Sequence, residues 1–95
     1  MSTRDVYINK MKLQLDDLNL QMAKLEVRAQ EAREDVRDTY KAEMAKLHKQ
    51  SEIAKAKLAD MQASTESAWD SMVAEMDKVR DAFVHSFSYF KSQVK

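Results

Sequence analysis

The sequence predicts an all-α protein, a long amphipathic helix that forms an antiparallel coiled coil or a helical bundle, with residues 62–67 as the place where it either continues, kinks or folds back. Three observations carry this expectation. Gly, Pro and Cys are absent from the 95 residues, so no residue interrupts a helix through its backbone chemistry, and the abundant Ala, Lys, Glu, Gln, Leu and Met favour one. Apolar residues recur at alternating steps of three and four along nearly the whole chain. Acid-then-base pairs three residues apart, such as Glu34/Arg37, Asp38/Lys41, Glu43/Lys46, Glu52/Lys55, Glu75/Lys78 and Asp77/Arg80, line the remaining surface, as expected of a solvated helix.

Composition bounds the function. A helix-rich chain this short buries little core unless it folds back or recruits partners, so oligomerisation is the default expectation. Without Cys there is no disulfide, thiolate metal site or thiol nucleophile, which accords with a reducing compartment. No apolar run follows Met1-Ser2-Thr3-Arg4-Asp5, and no stretch approaches the ~20 apolar residues that span a bilayer. The expectation is a soluble, cytoplasmic protein. Sixteen acidic residues balance sixteen basic ones, and because the signs are interspersed there is no basic field for a phosphate backbone. Nucleic acid is not expected among the partners.

Along a single unit covering residues 1–95, the first helix is expected over about 3–62. Ser2 or Thr3 can cap its first turn, and Ser2-x-x-Asp5 resembles a capping box with Asp in place of Glu. Ile8, Met11, Leu15, Leu18, Met22, Leu25, Ala29, Ala32 and Val36 form an a/d seam over four heptads. The seam then slips by a stutter, because Tyr40 and Met44 are apolar where Thr39 and Glu43 would continue the register. It resumes through Met44, Leu47, Ser51, Ala54, Leu58, Met61, Thr65, Ala68 and Met72. A second stutter leads through Met76, Val79, Phe83, Phe87, Phe90 and Val94.

The weak point is Gln62-Ala63-Ser64-Thr65-Glu66-Ser67, where poor helix formers cluster and Ser67-Ala68-Trp69-Asp70 can restart a helix over about 67–94. Against a turn there, the a/d register passes through Thr65 and Ala68 unshifted, and no Gly or Asn is available for a left-handed cap. The sequence therefore favours continuous or kinked helix, a rod of roughly 135 Å if unbroken.

The ends of the seam are more apolar than its middle. Val6, Leu13, Leu20 and Val27 repeat every seven residues on the face opposite the seam, so the first thirty residues are expected to pack on two sides. From Ala68 to Val94 the apolar side chains span an arc of about 160°, wider than a two-stranded seam needs. Small residues in the middle allow close approach but bury little. Parallel, in-register pairing would oppose Arg28 and Arg33 and supply no attraction elsewhere. The expectation is an antiparallel homodimer, with residues 6–27 against about 71–92 of a second chain, or two such pairs in a homotetramer. The expected oligomer interface is Ile8, Met11, Leu15, Leu18, Met22, Leu25, Val36, Met44, Leu47, Leu58, Met61, Met72, Met76, Val79, Phe83, Phe87 and Phe90, with Val6, Leu13, Leu20 and Val27 as a second apolar stripe.

No catalytic, cofactor or metal residue is assigned. His85 follows Asp81 by four residues, but it projects away from the apolar arc and suits a helix C-terminus as a solvated cation. His48 has no ligand partner at helical spacing. Glu31, Glu34, Asp35 and Asp38 lack the Glu-x-x-His spacing of di-iron bundles and are interleaved with Arg28, Arg33 and Arg37. No nucleophile has a base at helical spacing, and there is no Gly-rich phosphate loop, so an enzyme is not expected.

The opening Ser2-Thr3-Arg4-Asp5-x-Tyr7-Ile8-x-Lys10-Met11-Lys12-x-Gln14-Leu15-Asp16, with the later Ser67-Ala68-Trp69, resembles small proteobacterial coiled-coil proteins of uncharacterised function, some of them described as apolipoprotein-like. The resemblance spans most of the chain and implies a long helical oligomer without catalytic residues. A departure is the lack of Gly near the C-terminal helix, which favours unbroken helix.

The functional expectation is a non-enzymatic structural or scaffolding protein that self-associates through an antiparallel coiled coil, with a protein partner as a further option. The alternative is a peripheral protein that lays its aromatic C-terminal helix, with Trp69, Phe83, Phe87, Tyr89 and Phe90, on a membrane, lipid or granule surface.

Overall fold

The computed structural model describes residues 3–94, which form three helices and no strand: α1 Thr3–Gln30, α2 Glu34–Gln62 and α3 Glu66–Gln93. Ser2, and with it the capping box, lies outside the described residues. The chain reverses direction at residues 31–33 and again at 63–65. Contacts between helices give the sense of each pairing. Arg4, Asn19 and Glu26 of α1 meet Met61, Ser51 and His48 of α2, so these helices run in opposite directions. Tyr40, Gln50 and Lys57 likewise meet Gln93, Ser86 and Glu75 of α3. Tyr7 and Gln14 meet Asp77 and Arg80, so α1 and α3 run the same way.

The result is a three-helix bundle of 50 × 20 × 18 Å, not a 135 Å rod, and the expectation of one helix from about 3 to 62 is corrected by the break after Gln30. Local chemistry accounts for that break. Arg28 closes the last turn of α1, while Glu34 and Asp35 open α2, so cation and anions complement the facing helix dipoles. The NH groups of Glu31 and Ala32 bond three residues back to Arg28 and Ala29, tightening the end of α1. Arg33 is extended, and the Arg37 Nε donates to the Ala32 carbonyl at 3.1 Å.

The second reversal falls in the stretch of poor helix formers, and it needs no left-handed residue. Ala63 stays in the right-handed region and Thr65 is extended, with no positive φ among the described residues. The Ser64 hydroxyl donates to the Met61 carbonyl at 2.9 Å, supplying a partner for an orphan carbonyl at the end of α2. The lack of Gly and Asn is therefore no barrier to a turn.

One apolar cluster fills the bundle, drawn from all three helices: Ile8, Met11, Leu15, Met22, Leu25, Ala29, Met44, Leu47, Ala54, Leu58, Met61, Met76, Phe83, Phe87, Phe90 and Val94. Leu18, Tyr40, Met72 and Val79 are half-buried against it. The stutter is seen directly: Thr39 is exposed, while Tyr40 packs edge-on against Phe90 with centroids 5.5 Å apart. Val36, expected in the seam, is instead exposed at the start of α2. Ser51 is the buried polar residue of the cluster's middle, and its hydroxyl donates to Asn19 Oδ1 at 2.6 Å. No helix of the described residues is long and apolar enough to cross a membrane.

Candidate interaction surface

The side chains that tie the helices together at one end of the bundle come from the two motifs singled out in the sequence. Arg4 Nη2 donates toward the carbonyls of Met61, Gln62 and Ser64 at 2.8, 3.2 and 2.7 Å, so a cation closes the negative end of the α2 dipole. The same guanidinium lies 5.2 Å over the Trp69 ring, and Tyr7 meets that ring edge-on at 5.7 Å. Tyr7 donates its hydroxyl proton to Asp77 Oδ1 at 2.6 Å.

Burial, that hydrogen bond and the Asp77 charge push the Tyr7 phenol well above its ordinary range. A phenol whose folded pKa is raised adds stability that is complete below the unfolded value and is lost as pH rises past it. Above about pH 10 the wild type is therefore expected to lose stability more steeply than Tyr7→Phe. Urea melts at pH 8 and pH 11 would show this as a larger drop in midpoint for the wild type. Equal drops in the two proteins would reject it.

Titratable groups elsewhere also join helices. Lys57 Nζ and Glu75 Oε2 are 2.6 Å apart across α2 and α3, which raises the lysine pKa and lowers the glutamate's. Glu75 thus pairs between helices instead of with Lys78, whereas Asp77 and Arg80 of the same helix do approach to 4.0 Å. His48, without a partner at helical spacing, lies 3.5 Å from Glu26 of α1. His85 is exposed, and the described residues contain no group of three or more His, Asp or Glu able to hold a metal.

A groove of about 490 Å³ opens between the end of α1 and the start of α2, floored by Ala29, Tyr40 and Met44 and rimmed by Glu26, Arg37, Asp38, Lys41 and His48. The α1 seam ends there in the small residue Ala29, which leaves space opposite the larger Tyr40 and Met44 of α2. Its rim carries both charge signs in equal measure apart from the histidine, so it presents no field that selects an anion or a cation.

The residues assigned to an oligomer interface are, apart from Val36, buried or half-buried within one chain. Two reversals supply each helix with neighbours, so this burial requires no second copy. Within the one chain α1 meets α3 in the parallel sense. The second stripe behaves differently. Val6, Leu13, Leu20 and Val27 are 50%, 71%, 57% and 56% exposed, so α1 does not pack on two sides within the chain.

At seven-residue spacing these four side chains form a line along the outside of α1 about 31 Å long. They face away from the core seam of the same helix. Flanking residues on the outer face are polar apart from Ala23: Asn9, Asp16 and Gln30 on its side of the line, and Lys10, Asp17 and Lys24, all exposed, on the other. Ile53 of α2 and Tyr89 of α3 are exposed singly, without such a repeat. Isolated exposed aliphatics are ordinary, whereas here four are aligned along one helix with charged residues beside them.

Fold and surface together define a three-helix bundle with an aliphatic stripe on its first helix. No protein-family model, curated protein or solved structure matches the chain.

Proposed function

We propose that this protein is a non-enzymatic scaffolding module that works by presenting the α1 stripe to an apolar helical surface, self-association included. The observation that carries the reading is the exposure of Val6, Leu13, Leu20 and Val27 along one line of α1 while the core seam of the same helix is buried against α2 and α3. Removing aliphatic area from water stabilises contact by about 25 cal/mol per Å², and a heptad line is the pattern that a second helix can follow along its length. The titratable pairs support a non-enzymatic role, because Tyr7–Asp77, Lys57–Glu75 and His48–Glu26 each bridge two helices. A cytoplasmic location belongs to the same proposal and is supported by a sequence without Cys.

The aromatic helix offers less to a lipid or granule surface. Phe83, Phe87 and Phe90 are 0%, 5% and 1% exposed, so reaching a lipid would require the bundle to open.

Leu20→Asp tests the proposal. Because Leu20 is on the surface, the variant is expected to keep the wild-type melting temperature within a few degrees while losing association. Sedimentation velocity across a concentration series should show the wild type gaining mass and Leu20→Asp remaining at that of one chain. Identical behaviour of the two proteins at every concentration would reject the stripe as a docking surface.

A further inference from the structure

Resting on that docking reading, we infer that the partner of the α1 stripe is a second copy of this chain, paired antiparallel in one register with Leu20 at the two-fold axis. In a symmetric antiparallel pair the same flank of each helix faces itself, so the charges beside the stripe select the register. Centring on Leu20 sets Leu13 against Val27 of the second copy and leaves Val6 beyond the end of the pairing, because α1 ends at Gln30. It also brings Asp17 beside Lys24 and Lys10 beside Glu31, and symmetry repeats each pair, giving four attractions along one border. On the other border Asp16 meets Ala23 and Asn9 meets Gln30, without repulsion.

The competing arrangements are worse. Centring between Leu13 and Leu20 would pair all four aliphatics but oppose Lys10 to Lys24, Asp17 to its own copy and Asp16 to its own copy. A parallel, in-register pair would set Asp16 against Asp17 of the second copy and offer no compensating attraction. Centring on Leu13 keeps only the Lys10–Asp17 pair and leaves Val27 uncovered. The charges needed for the preferred register are at hand. Lys10, Asp17, Lys24 and Glu31 are all exposed, and among the described residues Lys10, Lys24 and Glu31 make no ion pair while Asp17 accepts a hydrogen bond from Gln21 at 2.7 Å.

One helix face about 31 Å long buries on the order of 800 Å² in total, below the standard interface, so the dimer is expected to be weak and reversible. The chain holds no cysteine, which makes single-cysteine cross-linking a direct readout of register. At a concentration where the wild type sediments as a dimer, mild copper-catalysed oxidation should join Leu20→Cys chains to one another, because residues at the two-fold axis come within disulfide reach. Leu13→Cys alone should stay monomeric on a non-reducing gel. In parallel, Lys24→Glu should weaken the dimer roughly tenfold, and adding Asp17→Lys should restore it.

Self-cross-linking of Leu13→Cys in place of Leu20→Cys would overturn the register, as would an Lys24→Glu/Asp17→Lys pair that fails to recover. If Leu20→Asp abolishes association while these register tests fail, the surface stands and only its geometry falls. A wild type that remains monomeric at about 1 mM would overturn the second copy as partner.

Discussion

Replacing Phe83 with alanine is expected to destabilise the bundle by about 3–5 kcal/mol, the cost of removing a buried aromatic and leaving a cavity. Phe83 is 0% exposed and is among the largest fully buried side chains of the cluster. It sits in the middle of α3, where the neighbouring layers include small residues such as Ala54 and Ser51 on α2. Little nearby bulk can collapse into the space, which places the expected loss toward the upper end of that range. For a domain near 100 residues, each kcal/mol corresponds to a shift of about 4–8 °C, so the midpoint should fall by more than about 12 °C. Thermal melts followed by circular dichroism at the helix band would measure it. A fall of less than about 5 °C would mean that Phe83 does not close the interior. Phe83→Leu, which keeps most of the volume, should recover more than half of the loss.

Arg4→Ala is expected to lower stability by about 2 kcal/mol, or roughly 10 °C in midpoint, although it removes no core residue. The guanidinium donates to three carbonyls at the end of α2 and covers Trp69, so its loss leaves partly buried acceptors unmatched and one indole face open. Trp69 is the single tryptophan, and its emission should shift to longer wavelength in the folded variant as water reaches the ring. Arg4→Lys should recover only part of the loss, because an ammonium keeps the charge but lacks the planar fork that reaches several carbonyls and stacks on the ring. Wild-type melting and emission in Arg4→Ala would show that the end of the bundle does not depend on this contact.

Much of the fold was legible in sequence because burial in helices is periodic. The seam from Ile8 to Leu25, the stutter to Tyr40 and the resumption through Met61 all reach the interior as their spacing predicts. The turn at 63–65 is marked by its composition, while the lack of Gly or Asn and the unshifted register weigh against it, and the structure makes the reversal with ordinary backbone angles. The break after Gln30 had a signal as well. Arg28 followed by Glu34 and Asp35 is the charge order of one helix ending and the next beginning, but it reads equally well as paired charge on a continuous surface.

The candidate surface was visible only in part. The heptad line of Val6, Leu13, Leu20 and Val27 could be found from spacing, while its exposure could not. A seam residue and a stripe residue carry the same aliphatic chemistry, and only the count of neighbours around α1 separates them. Arg4 and Tyr7 belong to a motif of the sequence, and their contacts with Trp69, Met61 and Asp77 lie 57 or more positions along the chain from them.

What the sequence determined by itself is the helical class and the apolar lines along each helix, because propensity and periodicity act within a few residues. Tertiary structure alone decided where the chain reverses, that the seam closes within one molecule, and that the α1 stripe is left over. Those outcomes depend on how three amphipathic faces share one interior. Once α2 and α3 cover one side of α1, the bundle has no further helix to offer the other.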